Sequence, residues 1–121
     1  MITGAHAVLF ADDGDATRTF LRDVLGWSHI DAGGGWLIFK LPPGEVGIHG
    51  TEGQPAPGHV DMYLTCDDLD ATIAELDAKG VVMAEPIHEE RWGRVTAIAV
   101  PGAGTLGLYQ PHHPLASALD A

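Results

Sequence analysis

The sequence predicts an α+β fold in which one small β-α-β-β-β unit occurs twice in tandem. Two observations carry this expectation. First, Leu9-Phe10-Ala11-Asp12-Asp13 followed by Asp15-Ala16-Thr17 recurs as Leu64-Thr65-Cys66-Asp67-Asp68 followed by Asp70-Ala71-Thr72, at one constant offset of 55 residues. Second, the same order of apolar run, helical pattern and turn-separated strands follows each copy, and Pro42…Val46-Gly47-Ile48 is echoed by Pro101…Leu106-Gly107-Leu108. A single offset shared by two copies marks a tandem duplication rather than a solenoid.

Each unit opens with a short apolar run, Ala5 to Ala11 in the first and Val60 to Cys66 in the second, suited to a largely buried strand. Helices follow. In the first, Phe20, Leu21, Val24 and Leu25 recur at helical spacing, with Asp13 or Asp15 as N-cap and Gly26 to close it. In the second, Leu69, Ile73 and Leu76 do the same, and Gly80 is placed for the left-handed C′ position. The strands expected next are Trp36 to Leu41 and Val46 to His49 in the first unit. In the second they are Val82-Met83, Val95 to Val100 and Leu106 to Tyr109. Gly33-Gly34-Gly35 forms a hairpin tip, while Pro42-Pro43-Gly44 and Pro101-Gly102 are tight-turn chemistry. Thr51 to Gly58 has two Gly and two Pro without periodicity, so it links the units, and residues past Pro111 are expected to fray. One domain results, with module 1 at 1–50, the linker at 51–58, module 2 at 59–111 and a tail at 112–121.

Composition narrows the function. With 121 residues, 45% of them hydrophobic, the chain can bury a core of its own. Six basic residues against 17 acidic ones give a formal charge of −11, which repels nucleic acid and anionic membrane surfaces. No apolar run reaches the ~20 residues of a membrane-spanning helix. Met1-Ile2-Thr3-Gly4 lacks the basic start and apolar stretch of a signal peptide, so a cytoplasmic location is expected. The single cysteine, Cys66, excludes an intramolecular disulfide and a thiolate-rich zinc site.

Several motifs in order resemble the vicinal oxygen chelate superfamily, which includes glyoxalase I, bleomycin-resistance proteins and extradiol dioxygenases. They are Ala5-His6-Ala7-Val8-Leu9 with Asp12, then Val24-Leu25-Gly26-Trp27, Trp92-Gly93, and Leu106-Gly107-Leu108-Tyr109-Gln110-Pro111. The resemblance runs from about Ile2 to Pro111. It implies that paired units roll into an open, barrel-like cup holding a small molecule or a metal, and that chains pair as homodimers, with halves exchanged in some members. The linker Thr51 to Gly58 suits such an exchange.

Metal-dependent members carry His, Glu, His and Glu, one on the first and one on the last strand of each unit. His6 matches the first of these, six residues before Asp12. The offset of 55 makes Asp61, not His59, its counterpart, and Gly47 and Gly107 stand where the family's acidic ligands belong. Glycine offers no side-chain ligand, and a divalent ion needs several. Strand alternation puts His49 on the face of position 47 and Tyr109 on that of 107, so His6, His49 and Asp61 are candidate ligands for Fe, Zn, Mn or Ni. The competing account is that these groups hydrogen-bond one another in a polar cavity.

Trp36 and Trp92, each beside a Gly-rich turn, are candidates for an aromatic wall against a flat ligand, with core packing as the alternative; Tyr63 joins them on the second unit's first strand. His29, His88 and the tail residues His112-His113 read as surface groups, His59 as a strand-edge or linker histidine, and Cys66 as a packed, inert thiol. Asp12, Asp13, Asp67 and Asp68 precede helices, where capping accounts for them. The ligand set is therefore His6, Trp36, His49, Asp61, Tyr63, Trp92 and Tyr109. The favoured function is binding of an organic, aromatic or cationic, antibiotic-like molecule, which the charge of −11 would attract. The alternative is a divalent-metal-dependent lyase, isomerase or ring-cleaving dioxygenase.

Overall fold

A computed structural model of the chain describes residues 7, 9, 11–34, 37–45, 47 and 60–118. The fold is α+β with two sheets. Two compact units emerge: Met1–Lys40 with Val100–Thr105, and Leu41–Ala99 with Leu106–Ala121. The strands expected over Ala5–Ala11 and Val46–His49 and the linker Thr51–Gly58 lie wholly or largely outside the described residues.

In the first unit, helix α1 spans Gly14–Thr19 and continues as a single π turn over Phe20–Val24. Asp13 is the N-cap, its carboxylate accepting from the Ala16 N–H at 3.0 Å, as one of the two expected caps. Phe20 and Leu21 are buried, as the helical spacing required. Thr17 is also buried, and its hydroxyl donates to the Pro101 carbonyl at 2.7 Å, so a polar group at the helix base is satisfied by the turn it packs on. Gly26 follows at φ +72°, the conformation that ends a helix at low steric cost in glycine. Strands β1 (His29–Asp31) and β2 (Leu37–Phe39) then pair antiparallel, with Ile30 opposite Ile38. At the tip, Asp31 Oδ1 accepts from the Gly33 N–H at 2.8 Å and Gly33 and Gly34 take positive φ, which confirms the expected hairpin.

In the second unit, β3 (Tyr63–Thr65) leads to α2 (Leu69–Ala78). Asp68 caps α2 by accepting from the Ala71 N–H at 3.0 Å. The helix ends in a complete Schellman arrangement: the Val81 N–H reaches the Leu76 carbonyl and the Gly80 N–H the Asp77 carbonyl, each at 3.0 Å, with Gly80 at φ +81°. Three further strands follow, β4 (His88–Glu90), β5 (Gly93–Val100) and β6 (Gly104–Pro111), of which Val100, Gly104 and Thr105 belong to the first unit. The sheet order is β3-β6-β5-β4, with β3 parallel to β6. Leu69, Val81, Val95, Ile98, Leu106 and Leu108 are buried, and Leu69 and Ile98 have no exposed surface.

Some expectations needed correction. Val82-Met83 is not a strand; Met83 makes one isolated bridge to Ile98. Strands β1 and β4 were not foreseen because all their residues are exposed, so no alternation of polar and apolar positions betrays them. The chain does not simply fray after Pro111 either: the His112 N–H bonds the Trp92 carbonyl at 2.9 Å, and a 3-10 turn forms at Ala116–Ala118.

Candidate functional site

Strand pairing in the second unit sets the site. In the parallel β3–β6 ladder Tyr63 lies opposite Gly107 and Thr65 opposite Tyr109. Side chains alternate along a strand, so these four positions share one face. The Tyr63 ring lies across Gly107, in the space a side chain there would enter, and meets Tyr109 edge-on with centroids 5.7 Å apart. Trp92, in the turn before β5, completes the group: its ring stands edge-on to Tyr109 at 5.1 Å and to Tyr63 at 6.2 Å. Such edge-to-face contacts are favourable beyond their buried area.

Gly93 makes the close approach possible. A Cβ at this position would stand 2.6 Å from the Gln110 carbonyl oxygen and 3.1 Å from Tyr109 Cδ2, so β5 could not carry a side chain here without moving. The aromatic group is nevertheless not closed off. Tyr63 is 46% exposed and Trp92 41% exposed, which leaves aromatic surface facing outward. Tyr109 is half-buried, and burial, followed by the charge of Glu45, raises its phenol above the ordinary range.

Two residues outside the expected ligand set make contacts beside this group. Gln110 Oε1 accepts from the Leu69 N–H at 2.9 Å, so the closing strand satisfies an amide at the start of α2. His113, expected to be a solvated tail residue, instead bonds the Tyr109 hydroxyl through Nε2 at 3.2 Å and the Pro114 carbonyl through Nδ1 at 2.8 Å. Neither was readable from spacing, although Gln110 lies in a motif that carried the family resemblance. Around them Arg94 bridges Glu89 (2.9 Å) and Asp70 (3.1 Å), and His112 Nε2 stands 3.8 Å from Glu89.

Of the candidate residues, the structure brings Tyr63, Trp92 and Tyr109 together. Asp61 is exposed just ahead of β3, while His6, Trp36 and His49 lie outside the described residues, as does His59. His29 and His88 are exposed, the latter between Glu85 and Glu90. Cys66 is partly buried, its Sγ 3.6 Å from the Tyr109 carbonyl, and desolvation raises its thiol above the usual range. Among the described residues no group of three or more His, Cys, Asp or Glu is arranged to hold a metal. Position 107, where the resemblance leads one to expect an acidic ligand, is glycine, and the Tyr63 ring fills the space that a side chain there would enter. An open depression of about 630 Å³ in the first unit, lined by Asp13, Asp15, Phe20, Val24 and Pro101, carries no His or Cys. No helix among the described residues is long and apolar enough to cross a membrane.

Comparison with known proteins agrees with this architecture. None of the curated proteins compared matches the chain. Among solved structures, TnmS3, an antibiotic binding protein from Streptomyces sp. CB03234, is 25% identical with a TM-score of 0.58, over 92% of this chain and 99% of that one. A lactoylglutathione lyase from Agrobacterium tumefaciens is 22% identical with a TM-score of 0.60, over 89% and 92%. A glyoxalase/bleomycin resistance protein/dioxygenase superfamily member from Sphaerobacter thermophilus DSM 20745 is 21% identical with a TM-score of 0.61, over 90% and 98%. The sequence profile that matches residues 4–106 makes the assignment on its own, and the chain belongs to the Glyoxalase/Bleomycin resistance protein/Dioxygenase superfamily.

Proposed function

We propose that the chain is a binding protein of the glyoxalase/bleomycin-resistance type, holding a flat organic ligand, aromatic or cationic, against Tyr63, Trp92 and Tyr109. The observation that carries this reading is the set of edge-to-face rings left partly open at one face of the second unit's sheet. Such a surface offers stacking and cation–π contact, and a formal charge of −11 favours a cation. The likeness to an antibiotic binding protein at 25% identity supports the same direction. Glycine at position 107, covered by Tyr63, weighs against the metal-dependent lyase, isomerase or dioxygenase alternative. His49 and Asp61 are proposed as further ligand residues of the second unit and His6 and Trp36 as ligand residues of the first, and pairing of two chains as a homodimer in the cytoplasm belongs to the same proposal.

Titration with 9-aminoacridine, a planar cation, followed by tryptophan fluorescence and thermal shift, tests it. Saturable quenching and a raised melting temperature are expected, with affinity falling about ten-fold or more in Trp92→Ala. Undiminished affinity in Trp92→Ala and Tyr63→Ala would place the ligand elsewhere.

A further inference from the structure

The polarity of the Tyr109 hydroxyl is set by a neighbour. A carbonyl oxygen can only accept, so the 2.8 Å contact from His113 Nδ1 to the Pro114 carbonyl requires the proton of the neutral imidazole to sit on Nδ1. Nε2 then holds a lone pair. The Tyr109 hydroxyl, 3.2 Å away, must donate to it. With its one proton committed to His113, the Tyr109 oxygen meets other partners only through its lone pairs. That oxygen belongs to the ring at the centre of the aromatic group, in edge contact with both Tyr63 and Trp92. The imidazole also lies against the Tyr109 ring, with centroids 6.1 Å apart, so ring contact and hydrogen bond hold the two groups together.

We infer that His113 is a positioning residue that fixes Tyr109 as a hydrogen-bond acceptor, so that the aromatic wall selects flat aromatic ligands bearing a hydroxyl or N–H donor over their capped analogues. The inference rests on the proposed binding function and adds the ligand chemistry to it. Its physical basis is the cost of leaving polar groups unpaired. A phenol or aryl amine donates to the waiting oxygen. An aryl ether at the same place brings a second acceptor against lone pairs and forfeits the bond.

Calorimetric titration of the intact chain with 2-naphthol and 2-methoxynaphthalene supplies the test, since the two share ring shape and differ in the donor. The wild-type chain is expected to prefer 2-naphthol by about five-fold, the ratio one neutral hydrogen bond provides. In His113→Phe the Tyr109 proton is released and can serve the ether, so the preference should shrink toward equality with both probes still bound. In Tyr109→Phe it should vanish. A merely structural role for His113 would weaken both probes alike and leave their ratio unchanged, which would overturn the inference. Equal affinities in the wild type would also overturn it while the binding function stands. Failure of both probes to saturate while 9-aminoacridine still binds would overturn the inference alone, and failure of all three would remove the binding function and this selectivity with it. Long-range proton–nitrogen NMR of the neutral His113 ring gives an arm free of ligand: Nδ1–H is expected, and a proton on Nε2 refutes the assignment.

Discussion

Tyr63 stands directly opposite Gly107 in a parallel ladder, and its ring fills the volume into which any side chain at 107 would project. The pair is reciprocal: the glycine makes room for the ring, and the ring needs a glycine. Gly107→Ala should therefore destabilise the fold by ~1–3 kcal/mol, the usual range for overpacking. The same change in a Tyr63→Ala background should cost much less, because the competing atoms are gone. Urea unfolding of the four members of the cycle measures the coupling, and additive losses would mean that the ring moves aside without strain.

Gln110 ties the closing strand to α2 through the Leu69 amide, a residue without exposed surface. Its removal leaves a donor at the helix start without its partner. Gln110→Leu is expected to cost ~1–3 kcal/mol, and amide exchange at Leu69 should accelerate more than exchange at Ile73 or Leu76. Uniform acceleration along α2 would indicate a global effect rather than the loss of one bond.

The local features of this fold were legible, and the long-range ones were not. Helix caps at Asp13 and Asp68 and stops at Gly26 and Gly80 follow from chemistry confined to a few neighbouring residues, so the duplication exposed them. Trp92 and Tyr109 were nominated by turn position and strand alternation, and the structure joins them with Tyr63. The bond from Leu69 to Gln110 spans 41 positions and depends on β3–β6 pairing, which no periodicity encodes. His113 lay hidden for a related reason. A histidine past the last strand looks solvated until the strand's own tyrosine is seen to face it.

Burial holds the Cys66 thiol neutral beyond the ordinary thiol range, and the same cause acts on the Tyr109 phenol. Both groups have folded pKa values above the unfolded ones. Their contribution to stability is thus complete below the ordinary thiol value, ~8.5, and is lost as pH rises through the folded values. Reaction of Cys66 with an aromatic disulfide reagent should be slow at pH ~7.5 and rise only at more alkaline pH than for the urea-unfolded chain. Cys66→Ala should flatten the alkaline fall in stability above pH ~8.5. A thiol that reacts as fast when folded as when unfolded would contradict this account.

Gly102 and Gly80 take nearly the same backbone conformation, φ +80° and +81°, but meet different surroundings. Nothing lies within 4 Å of a Cβ built at Gly80. One built at Gly102 would run into the carbonyl group of Asp13, the N-cap whose N–H donates to the Gly102 oxygen at 3.2 Å. Alanine at Gly80 should therefore cost only the left-handed backbone penalty, ~1–2 kcal/mol. At Gly102 it should cost that and a steric displacement of the α1 cap as well, for a loss ~1–2 kcal/mol larger. Denaturant midpoints at unchanged slope measure both. Equal losses at the two sites would show that the Asp13 backbone yields freely and that the turn and the cap are not coupled.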